Sequence, residues 1–525
     1  MTGLRLIAFV MMVLVVAACD RSGNATETTT TVSSADTDVV GVDVDVSDSG
    51  METLVEAVVA PAATYTIVDT GQQACYDADG AVSCPEEGEP FFGQDGNYTG
   101  NQAVYADNGD GTVTDLNTGL MWQQEPGEKV SHGDAVVGAD SLVLAGYDDW
   151  RLPSIKELYS LIDFSGVDPS SCSTSDGCSA TPFLDTDFFH FEYGDTDSGE
   201  RLIDSQWATN TIYEGVTMGG DETVFGVNFA DGRIKGYPLI DPRGGEKAFF
   251  VIYVRGNTGY AENDFIDTGA GTVSDLATGL IWQQDDSGEG MEWSEALGYC
   301  FSLDVGGSSD WRLPNAKELQ SIVDYTRSPS TTGSAAIDPV FSVTAITDEG
   351  GNSGYGFYWS GTTHGSLMGG SAAVYLSFGE ALGWMQDSRT GEYALLDVHG
   401  AGAQRSDPKT GEAADHPYGH GPQGDVIRIE NLVRCVRGGV SEIETGGDVV
   451  EQADASVIRP PADMPTGGPL AEAAAMLGVT EDDLAAALGD PNSGPPDFDA
   501  AAAALGLPVE DLMEAIGPAP AESRP

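Results

Sequence analysis

The stretch "DWRLPSIKEL" at residues 149–158 recurs as "DWRLPNAKEL" at residues 310–319. In each copy a Pro fixes an extended entry, a Ser or Asn follows at the position of a helix N-cap, and a Glu stands three residues later. That pattern predicts a capping box, in which the cap residue and the Glu each bind the other's backbone N–H. Apolar residues at helical spacing then predict one face packed against a core. We therefore interpret the stretch as a helix entry and not as a binding site.

Every residue of the motif has a folding role in this interpretation. The Trp is expected in the core, and the Arg is expected to pair with a carboxylate or with backbone carbonyls. Lys156 and Lys317, which lie between the cap and the Glu, are expected on the solvent side of the helix. The residues assigned to this structural motif are Trp150, Arg151, Pro153, Glu157, Trp311, Arg312, Pro314 and Glu318.

The repeat extends far beyond this motif, at an offset of about 160 residues. "DGTVTDLNTGLMWQQ" at 110–124 matches "AGTVSDLATGLIWQQ" at 270–284, and "SQWATNT" around Trp207 answers "FYWSGTT" around Trp359. "VIYVRGN" in the first copy likewise answers "VRCVRGG" in the second. Because these landmarks keep the same order, the chain is predicted to contain two homologous domains, at residues 62–258 and 259–440.

The composition excludes some partners. The chain of 525 residues has 84 acidic and 22 basic residues, a formal charge of -62 and a sequence pI of about 4.1. Such a charge repels nucleic acid, so no nucleic-acid partner is expected. A solvated, salt-tolerant surface is favoured over a specific acidic binding face.

The N-terminus indicates export. Its first 19 residues contain Arg5, an apolar run from Leu6 to Val16, and "VAAC" ending at Cys19. The run is short for a membrane span and is typical of a signal peptide, here residues 1–19. The ending resembles a bacterial lipobox, which implies lipidation of Cys19 and anchoring in a membrane; the alternative is an ordinary signal with an incidental Cys. We expect a lipoprotein of the bacterial cell envelope, on the periplasmic side or at the cell surface.

The flanking segments have simple compositions. Residues 20–61 are rich in Thr, Ser, Asp and Val and lack aromatic residues, which predicts a disordered acidic tether. Residues 441–466 are predicted to form a linker, and residues 467–518 are predicted to form two helical mini-repeats in a small all-α unit. For these repeats, packing on themselves is favoured over docking to another protein.

Six cysteines remain beside Cys19. An even number in an oxidising compartment predicts disulfides, and no CxxC spacing favours the alternative of a thiolate metal site. Two pairs are close in sequence, and both members of the third are missing from the first copy, as a bridge between them requires. The predicted pairs are Cys75 with Cys84, Cys172 with Cys178, and Cys300 with Cys435.

Together these landmarks resemble the Lcl C-terminal domain family over roughly residues 64–440. The marks are "DGTVTDLNTGLMW", "DWRLPNAKEL", "YWSGTT" and "VRCVRGG". The WRLP segment is also similar to that of formylglycine-generating enzymes and C-type-lectin-like folds. This similarity implies α+β domains with small irregular antiparallel sheets and flanking helices, but it does not imply their activity. The best-studied family member is implicated in binding sulfated polysaccharides through a basic surface, and the acidity of this chain departs from that.

The segment 395–431 is unique to the second copy and is the densest in reactive side chains. Gly-rich loops of this kind often display binding residues over a rigid scaffold. A metal site built from His399, His416, His420 and an Asp is an alternative, although its spacing matches no defined motif. The candidate ligand-binding residues are Trp359, Asp397, His399, Arg405, Asp407, His416, His420 and Asp425.

Two functions follow from these observations. The first is an exported, lipid-anchored binding or adhesion protein that recognises a carbohydrate or other extracellular polymer, or an envelope protein, through a shallow aromatic-lined groove. The alternative is an extracytoplasmic enzyme that uses a divalent metal held by the 395–431 segment. The first is favoured because no recognisable catalytic constellation, such as G-x-S-x-G, HExxH or a P-loop, occurs. No catalytic residue is assigned, and no cofactor is expected.

Overall fold

A computed structural model describes residues 63–442, apart from 173–177, 179, 242–243 and 388, together with Leu505. The predicted signal peptide and tether, nearly all of the linker, and the helical repeats except Leu505 lie outside the described residues. Within the described part, no helix is both long and apolar enough to cross a membrane.

The described residues form short helices and many short strands. The helices are α1 (His132–Ser141), α2 (Ile155–Tyr159), α3 (Trp293–Phe301), α4 (Ala316–Ser321) and α5 (Pro329–Thr332). The strands up to the end of the first copy are β1 (Cys75–Tyr76), β2 (Ala81–Val82), β3 (Tyr98–Thr99), β4 (Tyr105–Asp107), β5 (Thr112–Asp115), β6 (Leu120–Gln123), β7 (Val130–Ser131), β8 (Gln206–Ile212), β9 (Thr223–Asn228), β10 (Arg233–Pro238), β11 (Ala248–Phe249) and β12 (Val254–Gly256). Those that follow are β13 (Phe265–Asp267), β14 (Thr272–Asp275), β15 (Ile281–Gln283), β16 (Ala345–Thr347), β17 (Ser353–Tyr355), β18 (Phe357–Ser366), β19 (Gly369–Ser377), β20 (Leu382–Gln386), β21 (Tyr393–Asp397), β22 (Gln404–Pro408), β23 (Val436–Arg437) and β24 (Ser441–Glu442).

The sheets repeat the duplication of the sequence. Each copy contains a four-stranded antiparallel sheet, in the order β12-β6-β5-β4 and, for the second copy, β13-β14-β15-β23. The largest sheet has the order β18-β19-β22-β10-β9-β8, so that each copy supplies three of its strands. The two halves meet where Ile234 of β10 pairs with Gln404 of β22. The coarse prediction, tandem domains of small antiparallel sheets with few helices, is confirmed, but the two copies also share one sheet.

The predicted capping boxes are present at the starts of α2 and α4. The Ser154 hydroxyl accepts from the Glu157 N–H at 3.2 Å, and the Glu157 carboxylate accepts from the Ser154 N–H at 2.8 Å. The same two bonds link Asn315 and Glu318 at 2.9 Å each. The entry proline and the cap therefore begin each helix as the sequence predicts.

The Arg of the motif has the predicted scaffold role. Arg312 donates to both carboxylate oxygens of Glu318, at 2.6 and 2.5 Å, and to the Gly438 carbonyl at 2.7 Å. In the first copy Arg151 pairs with Glu157. The motif Trp residues are buried beside these pairs. The Arg of the motif thus links the start of the motif helix to the C-terminal part of the same copy.

The expectation that the motif lysines face solvent is wrong. The Lys317 side chain is buried, and its Nζ donates to the carbonyls of Asp69 and Ser160 at 2.8 and 2.9 Å. Lys156 is partly buried, and its Nζ donates to Asn263 Oδ1 at 3.1 Å and to the Ser321 carbonyl at 2.7 Å. The physical reason is that α2 and α4 contact each other, so the helix face away from its own core meets the other copy.

Three disulfides are present, with the pairings predicted from the sequence: Cys75–Cys84, Cys172–Cys178 and Cys300–Cys435. The last joins α3 to the strand end beside β23 inside a second core cluster. At the equivalent place in the first copy, the Tyr253 hydroxyl donates to the Ala135 carbonyl at 2.9 Å. A Cβ on Gly138 would lie 2.1 Å from that hydroxyl, so the tyrosine occupies the space that the disulfide fills in the second copy.

Candidate functional site

The second copy carries an insertion between β19 and β22, whereas the first copy turns directly from β9 into β10. The insertion begins with the hairpin of β20 and β21, which pair from Leu382 with Asp397. Its end contacts the first copy, because the Gly236 N–H donates to the His399 carbonyl at 2.9 Å. The Met218 N–H donates similarly to the Asp397 carbonyl at 2.8 Å. The insertion therefore helps to hold the two copies together.

Two aspartates predicted as ligand contacts have partners within the fold. The Asp397 carboxylate accepts from the Tyr213 hydroxyl and from the Gly400 N–H, both at 2.8 Å, and burial raises the pKa of Asp397 to about 7. Asp407 is buried and accepts from the Asn431 amide at 3.1 Å and from backbone N–H groups at 3.1 and 3.3 Å. Burial raises the pKa of Asp407 to about 6. Both carboxylates stabilise the loop from within.

His399, Arg405 and Asp425 form a second internal cluster. His399 is buried, and its Nε2 lies 3.1 Å from one oxygen of Asp425, whose other oxygen pairs with Arg405. Burial, with the charge of Arg405 next in effect, lowers the pKa of His399 well below its usual value. Burial also lowers the pKa of Arg405 to about 10. The Asp425 carboxylate thus bridges a neutral imidazole and a guanidinium, and His399 is an internal packing and hydrogen-bonding group in this arrangement.

The other two histidines of the loop lie nearer the surface. His420 is exposed, and its backbone exchanges hydrogen bonds with Asp425 at 2.9 and 2.8 Å, while His416 is partly exposed. Within the described residues, no group of three or more His, Cys, Asp or Glu side chains is placed to hold a metal ion. The divalent-metal hypothesis therefore stays a prediction for metal analysis to test.

Trp359 has a different position from the one expected. Its side chain is fully buried, and its indole N–H donates to the Met291 carbonyl at 2.9 Å. Large apolar rings in this position contribute to the core and cannot reach a ligand on the surface. Trp359 is therefore corrected from a candidate ligand contact to a core residue, like its counterpart Trp207.

A set of wholly or partly exposed aromatic rings lies on the β20–β21 hairpin and on the loop after β22, and we call Trp384, Tyr393 and Tyr418 the hairpin cluster. Tyr393 and Tyr418 are stacked, with ring centroids 3.9 Å apart and an interplanar angle of 16°, and Trp384 meets Tyr418 edge-on at 6.4 Å. Tyr393 is 38% and Tyr418 52% exposed. Of the eight tryptophans of the chain, all within the described residues, seven are buried and only Trp384 is partly exposed.

The hairpin register explains how these rings meet. Trp384 pairs with Leu395 and Gln386 pairs with Tyr393 across the hairpin, so these side chains share one face of the ribbon. Tyr418 comes from the loop after β22 and completes the cluster. These residues were not predicted, because the segment 395–431 stood out for its charged and metal-binding side chains, and Trp384 and Tyr393 lie before it. The available signal was Trp384 and Tyr393 in a segment that the first copy lacks.

A family model described as the Lcl C-terminal domain matches residues 111–255 and again residues 271–396. The two matches cover more than half of the chain. The chain belongs to the Lcl C-terminal domain family. Neither a curated protein nor a solved structure matches it.

The family matches follow the duplication. The first Lcl C-terminal domain match ends inside β12, the last strand of its sheet. The second ends inside β21, although β23 pairs with β15 just as β12 pairs with β6. The second domain of this chain therefore continues beyond the matched residues, to β23. Trp384 and Tyr393 of the hairpin cluster lie within the second match, and Tyr418 lies beyond it.

Proposed function

We propose that this protein is an exported, lipid-anchored binding protein that recognises an extracellular carbohydrate polymer through the hairpin cluster. The observation that carries the proposal is the exposed stack of Tyr393 and Tyr418 beside Trp384. The C–H face of a sugar ring packs against flat aromatic rings, and tyrosine and tryptophan offer polar edges for the sugar hydroxyls. Exposed aromatic patches on a soluble surface commonly mark such contacts.

Preorganisation supports this proposal. The two tyrosines come from separate segments and already stack on each other, so little side-chain freedom is lost when a ligand binds. Carbohydrate ligands gain little energy per contact, so a prearranged surface matters more for them. Among the described residues, no comparable observation supports the alternative function, a metal-dependent enzyme.

The negative charge of the chain limits which polymers it can bind. A formal charge of -62 repels sulfated or carboxylated polysaccharides. We therefore propose a neutral polymer as the ligand, in contrast to the sulfated ligands implied by the family resemblance. The proposed C-type-lectin-like character of each domain, the Cys19 anchor and the cell-envelope location accompany this function, with the tether extending the binding domains away from the lipid surface.

The test is binding of the full chain to a panel of neutral and sulfated polysaccharides at near-physiological salt. We expect retention on at least one neutral polymer, and a loss of about tenfold or more in affinity in Tyr393→Ala and Tyr418→Ala. Tyr147→Ala is the matched control, because Tyr147 is a 40% exposed aromatic residue on the first copy. Equal losses in the control and the cluster variants, or binding to sulfated polymers alone, would contradict the proposal.

A further inference from the structure

A cavity lies between the entry segment of the described chain and the C-terminal end of α2. Its volume is about 560 Å³, within the range that holds small organic ligands. The entry segment contributes residues 69–74 and Tyr76, and the chain after α2 contributes residues 161–165. Lys317 of the second copy also lines it, so both copies form its walls. We call it the junction cavity.

Its polar walls retain unused hydrogen-bonding capacity. Asp163 accepts from the Ser165 N–H at 2.8 Å and Asp185 from the Asp187 N–H at 3.0 Å, in each case through one carboxylate oxygen. Within the described residues, the second oxygen of each has no hydrogen-bond partner.

Two amides add to these walls. Gln73 and Gln102 line the junction cavity, are exposed, and have no side-chain hydrogen bond to the described protein. Four side chains therefore present free acceptors, two of them anionic, and the amides also present donors.

The charge of the lining is negative. Lys317 is the one basic residue among the described residues that line it, and its Nζ already donates to the Asp69 and Ser160 carbonyls at 2.8 and 2.9 Å. Burial raises the pKa of Asp185, with smaller contributions from the carboxylates of Asp187 and Asp163. A ligand that brings a positive charge would relieve this repulsion.

Aromatic rings form part of the remaining wall. Tyr76, Tyr105 and Phe164 line the junction cavity. The Tyr105 ring is held by an edge contact with Phe189, with centroids 5.2 Å apart at 88°. Phe164 is buried, so a ligand meets mainly the partly exposed Tyr76 and Tyr105 beside free amides and carboxylates, a combination that accommodates a sugar ring.

We propose that the junction cavity is a second binding site that takes an amino-sugar unit, a hydroxylated ring with a primary ammonium group. Asp163 and Asp185 face the ammonium, the amides of Gln73 and Gln102 bind hydroxyls, and the aromatic walls contact the ring carbons. This site is separate from the hairpin cluster and does not depend on the proposed polymer-binding function.

Calorimetric titration of the full chain with glucosamine and with N-acetylglucosamine tests the proposal, because the two sugars differ in the ammonium charge. We expect glucosamine to bind at least tenfold more tightly, and Asp163→Asn and Asp185→Asn to reduce that affinity at least fivefold. Both replacements keep an acceptor oxygen for the local turn. Asp140→Asn, which changes an exposed carboxylate of α1 outside the lining, is the matched control and should bind as the wild type does.

Ala103→Trp offers a test that leaves every charged side chain in place. Ala103 lines the junction cavity and is exposed, so a bulky ring there should block ligand entry and abolish binding without unfolding the protein, as checked by circular dichroism. Tyr418→Ala should leave glucosamine binding unchanged, which separates this site from the hairpin cluster. Equal binding of the two sugars, or unchanged binding in Ala103→Trp, would overturn the proposal.

Discussion

Lys156 of the first copy donates a hydrogen bond to the carbonyl oxygen of Ser321 in the second copy, at 2.7 Å. Lys317 of the second copy donates to the carbonyl oxygen of Ser160 in the first copy, at 2.9 Å. Each ammonium thus binds the C-terminal end of the other copy's motif helix, where unpaired carbonyls favour a cation. The duplicated motif therefore joins the two domains by a reciprocal contact, in addition to the shared sheet.

Replacing Lys317 should weaken this junction. In Lys317→Ala the carbonyls of Asp69 and Ser160 lose their donor, at about 1–3 kcal/mol for each buried unsatisfied group. We expect the free energy of unfolding in urea to fall by about 2–6 kcal/mol. Arg389→Ala is the control, because the Arg389 side chain is 88% exposed, and it should change stability by less than about 0.5 kcal/mol. A similar effect in both variants would refute the role of the junction.

Lys156 and Lys317 also show the limit of what the sequence could predict. Capping residues and the helical spacing of apolar residues act locally, so the start of each helix and the Arg–Glu pair were predictable. The environment of the other helix face depends on what packs there, and periodicity within one copy carries no information about the second copy. The shared sheet, joined at Ile234 and Gln404, was unpredictable for the same reason.

The candidate site was predicted less well than the fold. The 395–431 segment was predicted to be unique to the second copy, but it includes β22, the counterpart of β10, and the added hairpin begins before it at Leu382. Asp397 and Asp407 satisfy the loop's own backbone and neighbours. Chemically reactive side chains stand out in a sequence whether they face a ligand or the interior, because burial is a tertiary property. The hairpin cluster required the β20–β21 register and the position of Tyr418, which are also tertiary.

The Cys300–Cys435 disulfide should contribute more to stability than the Cys75–Cys84 disulfide. Their sequence separations are 135 and 9 residues, and chain-entropy estimates give about 5 and about 2.5 kcal/mol. We expect Cys300→Ala with Cys435→Ala to lower the free energy of unfolding by up to about 5 kcal/mol, and the matched Cys75→Ala with Cys84→Ala pair to lower it less. Urea unfolding without reductant measures both. The reverse order would show that native packing outweighs loop entropy here.

Asp95 should make stability fall as the pH rises. It is buried, its Oδ2 accepts from the Thr70 and Thr362 hydroxyls at 2.7 and 2.6 Å, and burial raises its pKa from 3.8 to about 7. The folded state therefore binds the proton more tightly than the unfolded state, and the stability from Asp95 is lost between about pH 4 and pH 7.

Asp95→Asn removes this titration and keeps an acceptor oxygen for Thr70 and Thr362. Relative to the wild type, the variant should gain stability between pH 5 and pH 7, by at most about 1.4 kcal/mol per pH unit. Urea unfolding at pH 5, 6, 7 and 8 measures the difference. Asp187→Asn, which changes an exposed carboxylate, serves as the control. A difference between Asp95→Asn and wild type that stays constant with pH would contradict the assignment.

Metal analysis of the purified full chain tests the remaining enzyme hypothesis. His399 is buried against Asp425, whereas His420 is exposed, so the two imidazoles lie in different environments. A catalytic metal requires several ligands converging on one point. We therefore expect less than stoichiometric metal, and no change in melting temperature on adding a chelator. His132→Ala, in the first copy, is the control for His399→Ala and His420→Ala. Stoichiometric metal lost in His420→Ala but kept in His132→Ala would establish a metal site in the 395–431 segment and favour the enzyme.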